Sequence, residues 1–231
     1  MKIGSSVWSK LVIDGAKAFG LDLDRHHTDL FGAHARELLH WNNTTNLTTI
    51  TDPLEIAVKH FVDSLAPARL ISPGANLLDI GSGGGFPGIP LKVAIPLLSV
   101  TLIDASRKRV SFLKHVIRTL KLEGIKALHI RAEDLAAEPA YIKRFDFIIS
   151  RALTDLESFT RHGLPLLSEQ GVMIALKGKV DQTEVAKMES IAFEKLNKFN
   201  QNQHHFPIAV EKYELPFTQS QRSIITIKKF C

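Results

Sequence analysis

The run NLLDIGSGGGFPGIP, Asn76 to Pro90, admits few folds. LLDI has the composition of a short buried strand, and GSGGG leaves it at once. Gly81, Gly83 and Gly85 stand at alternate positions. Glycine tolerates positive φ and has no side chain, so such a turn lets another molecule approach the backbone closely. Pro87 has a φ suited to a first helical turn. The segment therefore reads as strand, glycine turn and helix, with Pro87 starting the helix. In open α/β sheets a ligand binds at that place, beyond the carboxyl end of a parallel strand.

The rest of the chain fits that frame. After Pro73-Gly74, short apolar runs (NLLDI, LSVTLID, KALHIRA, FDFIIS, GVMIALK) alternate with helical patterns such as RKRVSFLKHVIRTLKL and LESFTRHGLPLL. This alternation implies a parallel sheet with crossover helices. VDQTEVAKMESIAFEKLN reads as a further helix. HHFPIAVEKYEL and QRSIITIKKF read as two strands with no helix between them, hence an antiparallel pair. The expectation is α/β: a mostly parallel, doubly wound sheet ending in an antiparallel hairpin.

Residues 1–73 differ in texture. Leu30, Ala33, His34, Leu38 and Trp41 recur at helical spacing, and Asp52-Pro53 reads as an N-cap followed by the first helical residue. We expect three to five helices there and no strand. The domain expectation is a helical extension over 1–73 packed on a core over 74–231. The amphipathic N-terminus lacks the apolar segment of a signal peptide, and no apolar run is long enough to span a membrane. The single cysteine, Cys231, excludes a disulfide within the chain and makes a cysteine nucleophile or a cysteine-ligated metal improbable. No HExxH or Cys/His cluster is present, so no metal is assigned. His204 and His205 read as surface residues, and His60 as a capping or packing residue. These features make the cytoplasm the default compartment.

The ligand can be narrowed from the acids around the glycine turn. The dinucleotide fingerprint is GxGxxG. Here the last position is Phe86, and Asp79 lies inside the strand, where it would repel a pyrophosphate but suit a cationic ligand. Asp104 ends the next strand, placed to accept both ribose hydroxyls of a nucleoside. Glu133 follows the third strand, where it and the backbone of Ala132 could border an adenine. Each acid alone reads better as an ordinary strand-end or cap carboxylate. Together with the glycine turn, the three point to S-adenosylmethionine. The cofactor-binding candidates are Asp79, Gly81, Gly83, Gly85, Phe86, Asp104, Ala132, Glu133 and Arg151.

At this point the chain resembles a family, the small-subunit ribosomal RNA guanine-N7 methyltransferases, also called the glucose-inhibited division protein B family. The segments that carry the resemblance are WNNTTNLT (41–48), KHFVDSL (59–65), LLDIGSGGGFPGIPL (77–91) and LIDASRKRVSFL (102–113). RAE (131–133), ISRA (149–152), ALKG (175–178) and Arg222 follow in family order. The resemblance implies a Rossmann-like class I S-adenosylmethionine-dependent methyltransferase with a seven-stranded sheet. It implies methyl transfer to N7 of a guanine in 16S ribosomal RNA, with that RNA or the small ribosomal subunit as partner and a monomer as the working form. The alternative is an S-adenosylmethionine-dependent methyltransferase acting on another RNA, a protein or a small molecule.

The chemistry implied needs little from side chains. N7 of guanine carries a lone pair and no proton, so no general base is required and none is assigned. Positioning carries the catalysis. Carbon-five methylation of cytosine would need a core cysteine. Exocyclic amino methylation commonly shows an Asn/Asp-Pro-Pro-aromatic segment after the fourth strand, where this chain has SRAL. Arg151 is read as a cofactor or phosphate ligand. The net charge of +5 permits an anionic partner without requiring one. Lys108, Arg109, Arg131, Lys177 and Arg222, with Lys179, are the candidate RNA-binding cations; singly, each reads as well as solvated surface. Asn46 is read either as a helix C-cap or as a guanine contact, and Trp41 as core.

Overall fold

The computed structural model describes residues 1–151, 156–180, 183 and 207–228. The helix expected over 180–197, the pair His204 and His205, Ala152 and Cys231 lie outside the described residues.

Seven strands form one sheet in the order β3-β2-β1-β4-β5-β7-β6. They are β1 (Asn76–Ile80), β2 (Ser99–Asp104), β3 (Ile125–His129), β4 (Phe145–Arg151), β5 (Leu167–Lys177), β6 (Ile208–Glu214) and β7 (Gln221–Lys228). The first five are parallel, while β7 pairs antiparallel with both β5 and β6. The doubly wound sheet with its terminal hairpin is as the alternation of runs predicts. The chain moves outward from β1 to β2 and β3, then returns to β4 on the other side of β1. The switch point is therefore at the carboxyl end of β1, where the glycine turn lies.

Both faces of the sheet are covered. One core cluster joins the first helices to the sheet through Trp8, Phe31, Phe61, Leu77, Ile89 and Phe112, all fully buried. The opposite face packs Leu78, Ile103, Ile148 and Phe159. Alternation along β1 therefore turns Leu77 and Asp79 toward the N-terminal helices and Leu78 away from them.

Those helices form where capping and periodicity allow. α1 (Ser6–Lys17) is capped by the Ser5 hydroxyl. α2 (Arg25–Thr45) has a capping box between Asp24 and His27 and ends at Asn46 in the left-handed conformation. α3 (Pro53–Glu55) has the Asp52 cap and N-terminal proline read from the sequence. It continues without a break through a π-helical stretch, Ile56–Val62, into α4 (Asp63–Leu65). π-helical turns are rare and often mark functional sites. Among the described residues the remaining α-helices are α5 (Gly88–Ala94), α6 (Arg107–Thr119), α7 (Ala132–Leu135) and α8 (Leu156–Gly163). One expectation needs correcting: Pro87 is the N-cap of α5, not its first residue. Its φ of −91° lies outside the usual proline helix value, and Gly88 takes the first helical position. The Gly88 N–H, free in the first turn, donates to the Asp79 carboxylate at 2.9 Å.

Candidate functional site

Three strand ends lie side by side, those of β1, β2 and β3, and the glycine turn runs across them. Its backbone is fixed by hydrogen bonds. The N–H groups of Gly81 and Ser82 both donate to the Ile103 carbonyl, at 2.9 and 3.0 Å. The Ser82 hydroxyl donates to the Asp79 carbonyl at 2.9 Å. Gly83 N–H donates to Asp104 Oδ2 at 3.0 Å, and Ser106 N–H to Asp104 Oδ1 at 2.8 Å.

The three alternate glycines serve different ends. All have positive φ: 72° at Gly81, 54° at Gly83 and 89° at Gly85. A Cβ on Gly81 would meet nothing within 4 Å, and one on Gly83 only the Gly81 carbonyl at 3.8 Å. A Cβ on Gly85 would sit 2.5 Å from Ile89 Cδ1. Gly81 and Gly83 thus border open space, whereas Gly85 allows the turn to pack on α5.

The acids differ as well. Asp104 is buried at the end of β2, with Arg109 at 3.7 Å from its Oδ2. A carboxylate has further lone pairs beyond the two that these backbone amides occupy, so hydroxyl donors could still be accepted. Asp79 is fully buried. One oxygen is held by Gly88 and the other, Oδ1, has no partner. Burial raises its pKa to about 7, against the opposing pull of the Gly88 N–H and the Arg151 charge. Glu133 is exposed in the first turn of α7, with Arg131 3.5 Å away. Its pKa is lowered, first by its own backbone N–H. Ala132 is half-buried beside it.

Phe86 and Arg151 are placed differently from a simple pocket wall. The Phe86 ring is 4% exposed and packs into the N-terminal helices. It stacks on His34 and on His60, at centroid distances of 4.8 and 4.6 Å, with Phe61 edge-on. The Arg151 guanidinium lies 4.9 Å from the same ring. It donates to the Lys59 carbonyl at 3.0 Å and reaches His60 Nδ1 at 3.3 Å. Arg151 therefore joins the end of β4 to the π-helical turn.

The two histidines were not legible as site residues. His34 Nε2 is 2.8 Å from the Gly84 carbonyl, and a carbonyl only accepts, so Nε2 carries the proton. The buried Nδ1 has no partner. Burial lowers the His34 pKa to about 4. His60 Nδ1 accepts from Arg151, so Nε2 donates to the Thr48 hydroxyl at 2.8 Å. Burial and then the Arg151 charge lower its pKa to about 3. Both rings are neutral, and together they hold Phe86 and the glycine turn against α2 and the π-helical turn. The only sequence signal was a histidine on an apolar helix face. A second missed group is Asp63, buried, which accepts from the Tyr213 hydroxyl at 2.9 Å and lies 3.4 Å from Arg222 Nε. Burial raises its pKa, and the two arginine charges oppose this.

The cations read as RNA ligands are scattered in role. Lys108 and Lys179 are exposed. Arg109 and Arg131 pair with Asp104 and Glu133. Lys177 is half-buried at the end of β5. Arg222 is turned inward to Asp63. Asn46 is an exposed C-cap, but the loop after α2 is braced by Asn42. Its Oδ1 accepts from Leu47 and Thr48 N–H, at 2.7 and 2.9 Å. Trp41 is half-buried and packs against the core on Phe112 and beside His115. Among the described residues, no cluster of three or more metal-ligating side chains occurs.

Comparison with known proteins gives consistent findings. A family model described as rRNA small subunit methyltransferase G matches residues 28–211. A ribosomal RNA small subunit methyltransferase G of Geobacter sulfurreducens is 40% identical over 223 residues, covering 96% of this chain and 97% of that protein. One of the same name from Acetivibrio thermocellus is 38% identical, covering 96% of this chain and 88% of that protein. Among solved structures, a SAM-dependent methyltransferase from Aquifex aeolicus aligns with a TM-score of 0.55 at 13% identity. It covers 82% of this chain and 97% of that one, a likeness of fold alone.

Proposed function

The chain belongs to the rRNA small subunit methyltransferase G family, and from that premise we propose that it methylates N7 of a guanine in 16S ribosomal RNA with S-adenosylmethionine. The observation that carries this reading is the cradle at the switch point. Gly81 and Gly83 present backbone to open space between two buried carboxylates, Asp79 and Asp104.

S-adenosylmethionine, when bound, supplies an electrophilic methyl group on a sulfonium. The chain's own residues position it. Gly81 and Gly83 would let the backbone come close to it, and Asp104 would accept from its ribose hydroxyls. Ala132 and Glu133 border the adenine at the start of α7. Asp79 acts through the space behind the turn, since one of its oxygens already holds α5. Its partial protonation near neutrality in the free protein means that a bound cation would shift it toward the carboxylate. Arg151 and Phe86 support the turn from behind, through His34 and His60. No residue is asked to move a proton, because N7 attacks with a lone pair.

The domain reading is a helical extension, 1–73, lying on a methyltransferase core. The working form is a cytoplasmic monomer. Among the described residues, no helix is long and apolar enough to cross a membrane. The test is incubation with methyl-labelled S-adenosylmethionine and small subunits lacking the modification, followed by mapping of the label. Label at one guanine, with loss of N7 reactivity there, is expected. Label on protein or on an exocyclic amine would overturn the assignment.

A further inference from the structure

Charge is distributed very unevenly along this chain. Residues 105–131 contain eight Lys and Arg and one acid, Glu123, a balance of +7. The whole chain is +5, so the remainder is −2. Two of the eight, Arg109 and Arg131, are paired with Asp104 and Glu133. The other six, Arg107, Lys108, Lys114, Arg118, Lys121 and Lys126, are exposed, and none forms an ion pair among the described residues.

Their placement is ordered. At about 100° per residue, Arg107, Lys114 and Arg118 fall within about 40° of one another on the α6 surface. They span 11 residues, about 16 Å of helix. The line starts at Arg107, three residues past Asp104, and so at the rim of the cofactor site. It runs away from that rim along the outer edge of the sheet, where β3 is the last strand. Lys121 extends it beyond the helix from a left-handed backbone, φ 51°, where glycine is the ordinary choice. Lys126 on β3 also borders the open groove of about 460 Å³ beside α6, whose lining includes Ile117, Ile125 and one acid, Glu123; its ammonium lies 5.2 Å from the Tyr141 ring. Lys126 alone would be a common guard of an edge strand. That function does not account for the cations on α6.

We infer that this stripe of α6 and the groove beside β3 form a second RNA surface, outside the methyl-transfer site, that holds the sugar–phosphate backbone of a segment leading away from the target guanine. The inference rests on the RNA substrate proposed above. Unpaired cations in line suit a run of phosphates. An apolar floor between them suits ribose faces. Backbone contacts of this kind fix register and orientation and carry no sequence information of their own, so the surface adds affinity and orientation.

The test changes Lys114, Arg118, Lys121 and Lys126 to Gln together. A control with the same charge change alters Lys2, Lys17, Arg144 and Lys228, which are exposed elsewhere. Binding of deproteinised 16S RNA and of small subunits is measured across salt concentration, with cofactor binding and thermal melting as checks. The stripe variant should melt and bind S-adenosylmethionine like the wild type. Its log–log salt slope for RNA should fall by about 3 if all four cations neutralise phosphates. Its single-turnover rate at saturating RNA should be unchanged. The control should keep the wild-type slope. Equal losses in both variants would reduce the effect to net charge and overturn the inference, as would an unchanged slope in the stripe variant. A loss confined to subunits and absent with bare RNA would make the surface a protein contact, again overturning it. Failure of the wild type to methylate or bind RNA would instead overturn the RNA substrate itself.

Discussion

Gly83 and Gly85 separate two effects that glycine-loop mutations usually confound. An alanine at either site must adopt positive φ, a cost of about 1–2 kcal/mol. At Gly83 that is the whole cost to the free protein, because the added Cβ meets only a carbonyl at 3.8 Å. At Gly85 the Cβ also lands 2.5 Å from Ile89 Cδ1 and 3.3 Å from His34 Cε1. Overpacking of this kind adds about 1–3 kcal/mol. For a chain of this size each kcal/mol lowers Tm by about 2–4 °C. Gly85→Ala should therefore melt well below Gly83→Ala. The ligand response should run the other way. Saturating S-adenosylmethionine at a hundred times its Kd stabilises the wild type by about 2.7 kcal/mol, an upward Tm shift of about 5–11 °C. Gly83→Ala should lose that shift, because its methyl group occupies the ligand's approach. Gly85→Ala should keep most of it from a lower starting point. Melting curves with and without cofactor, supported by calorimetry, decide the matter. A full cofactor shift in Gly83→Ala would show that the turn does not border the ligand, and the site as drawn would be wrong.

Other consequences follow from the buried ionisable groups. Asp79 binds a proton in the folded state between about pH 3.8 and 7 that the unfolded chain has released, so its contribution to stability rises as pH falls through that window. His34 and His60 act oppositely: between pH 6.5 and about 4 the unfolded chain is protonated and the fold is not, so stability is lost on acidification. Asp79→Asn should thus make acid destabilisation steeper than in the wild type, by about 1.4 kcal/mol per pH unit, measured by urea titration from pH 4.5 to 6.5; a shallower slope would contradict the burial of this carboxyl. Arg222→Ala should lower stability by about 3 kcal/mol, the lower end for breaking a buried pair, and adding Asp63→Asn should restore part of it; chemical denaturation of the three variants reads this directly. At saturating RNA and cofactor, the single-turnover rate should be flat through mildly alkaline pH, and a tenfold rise per unit abolished by one side-chain replacement would mean that an acceptor proton is being removed.

The sheet was legible because period and punctuation agree there. Five apolar runs separated by helical patterns leave a parallel sheet as the economical solution, and the two final runs without a helix between them give the hairpin. The glycine turn and the acids at Asp79 and Asp104 were legible because glycine spacing and strand ends are visible in one dimension. What joins distant segments was not. Phe86 looks like a departure from the dinucleotide fingerprint, yet its ring is the centre of a cluster whose members, His34, His60, Phe61 and Arg151, come from three parts of the chain. Arg222 reads as a surface cation until Asp63 is found beside it. The helix starts one residue after Pro87, whose φ of −91° lies off the first-turn value, a detail of backbone geometry that the proline alone did not reveal.

The Asp63 pair also bears on how the protein is made. The carboxylate lies in α4, and its hydroxyl and guanidinium partners stand about 150 residues further along. On the ribosome the N-terminal helices emerge first, and for most of synthesis Asp63 has neither Tyr213 nor Arg222 to meet. Burying it before then would leave its carboxyl without either of these partners, with only the Arg151 charge acting on it. Docking of the helices on the half-made sheet is therefore weaker by these contacts until β6 and β7 have left the exit tunnel. Long-range pairing of this kind slows folding and ties the last hairpin to the first seventy residues.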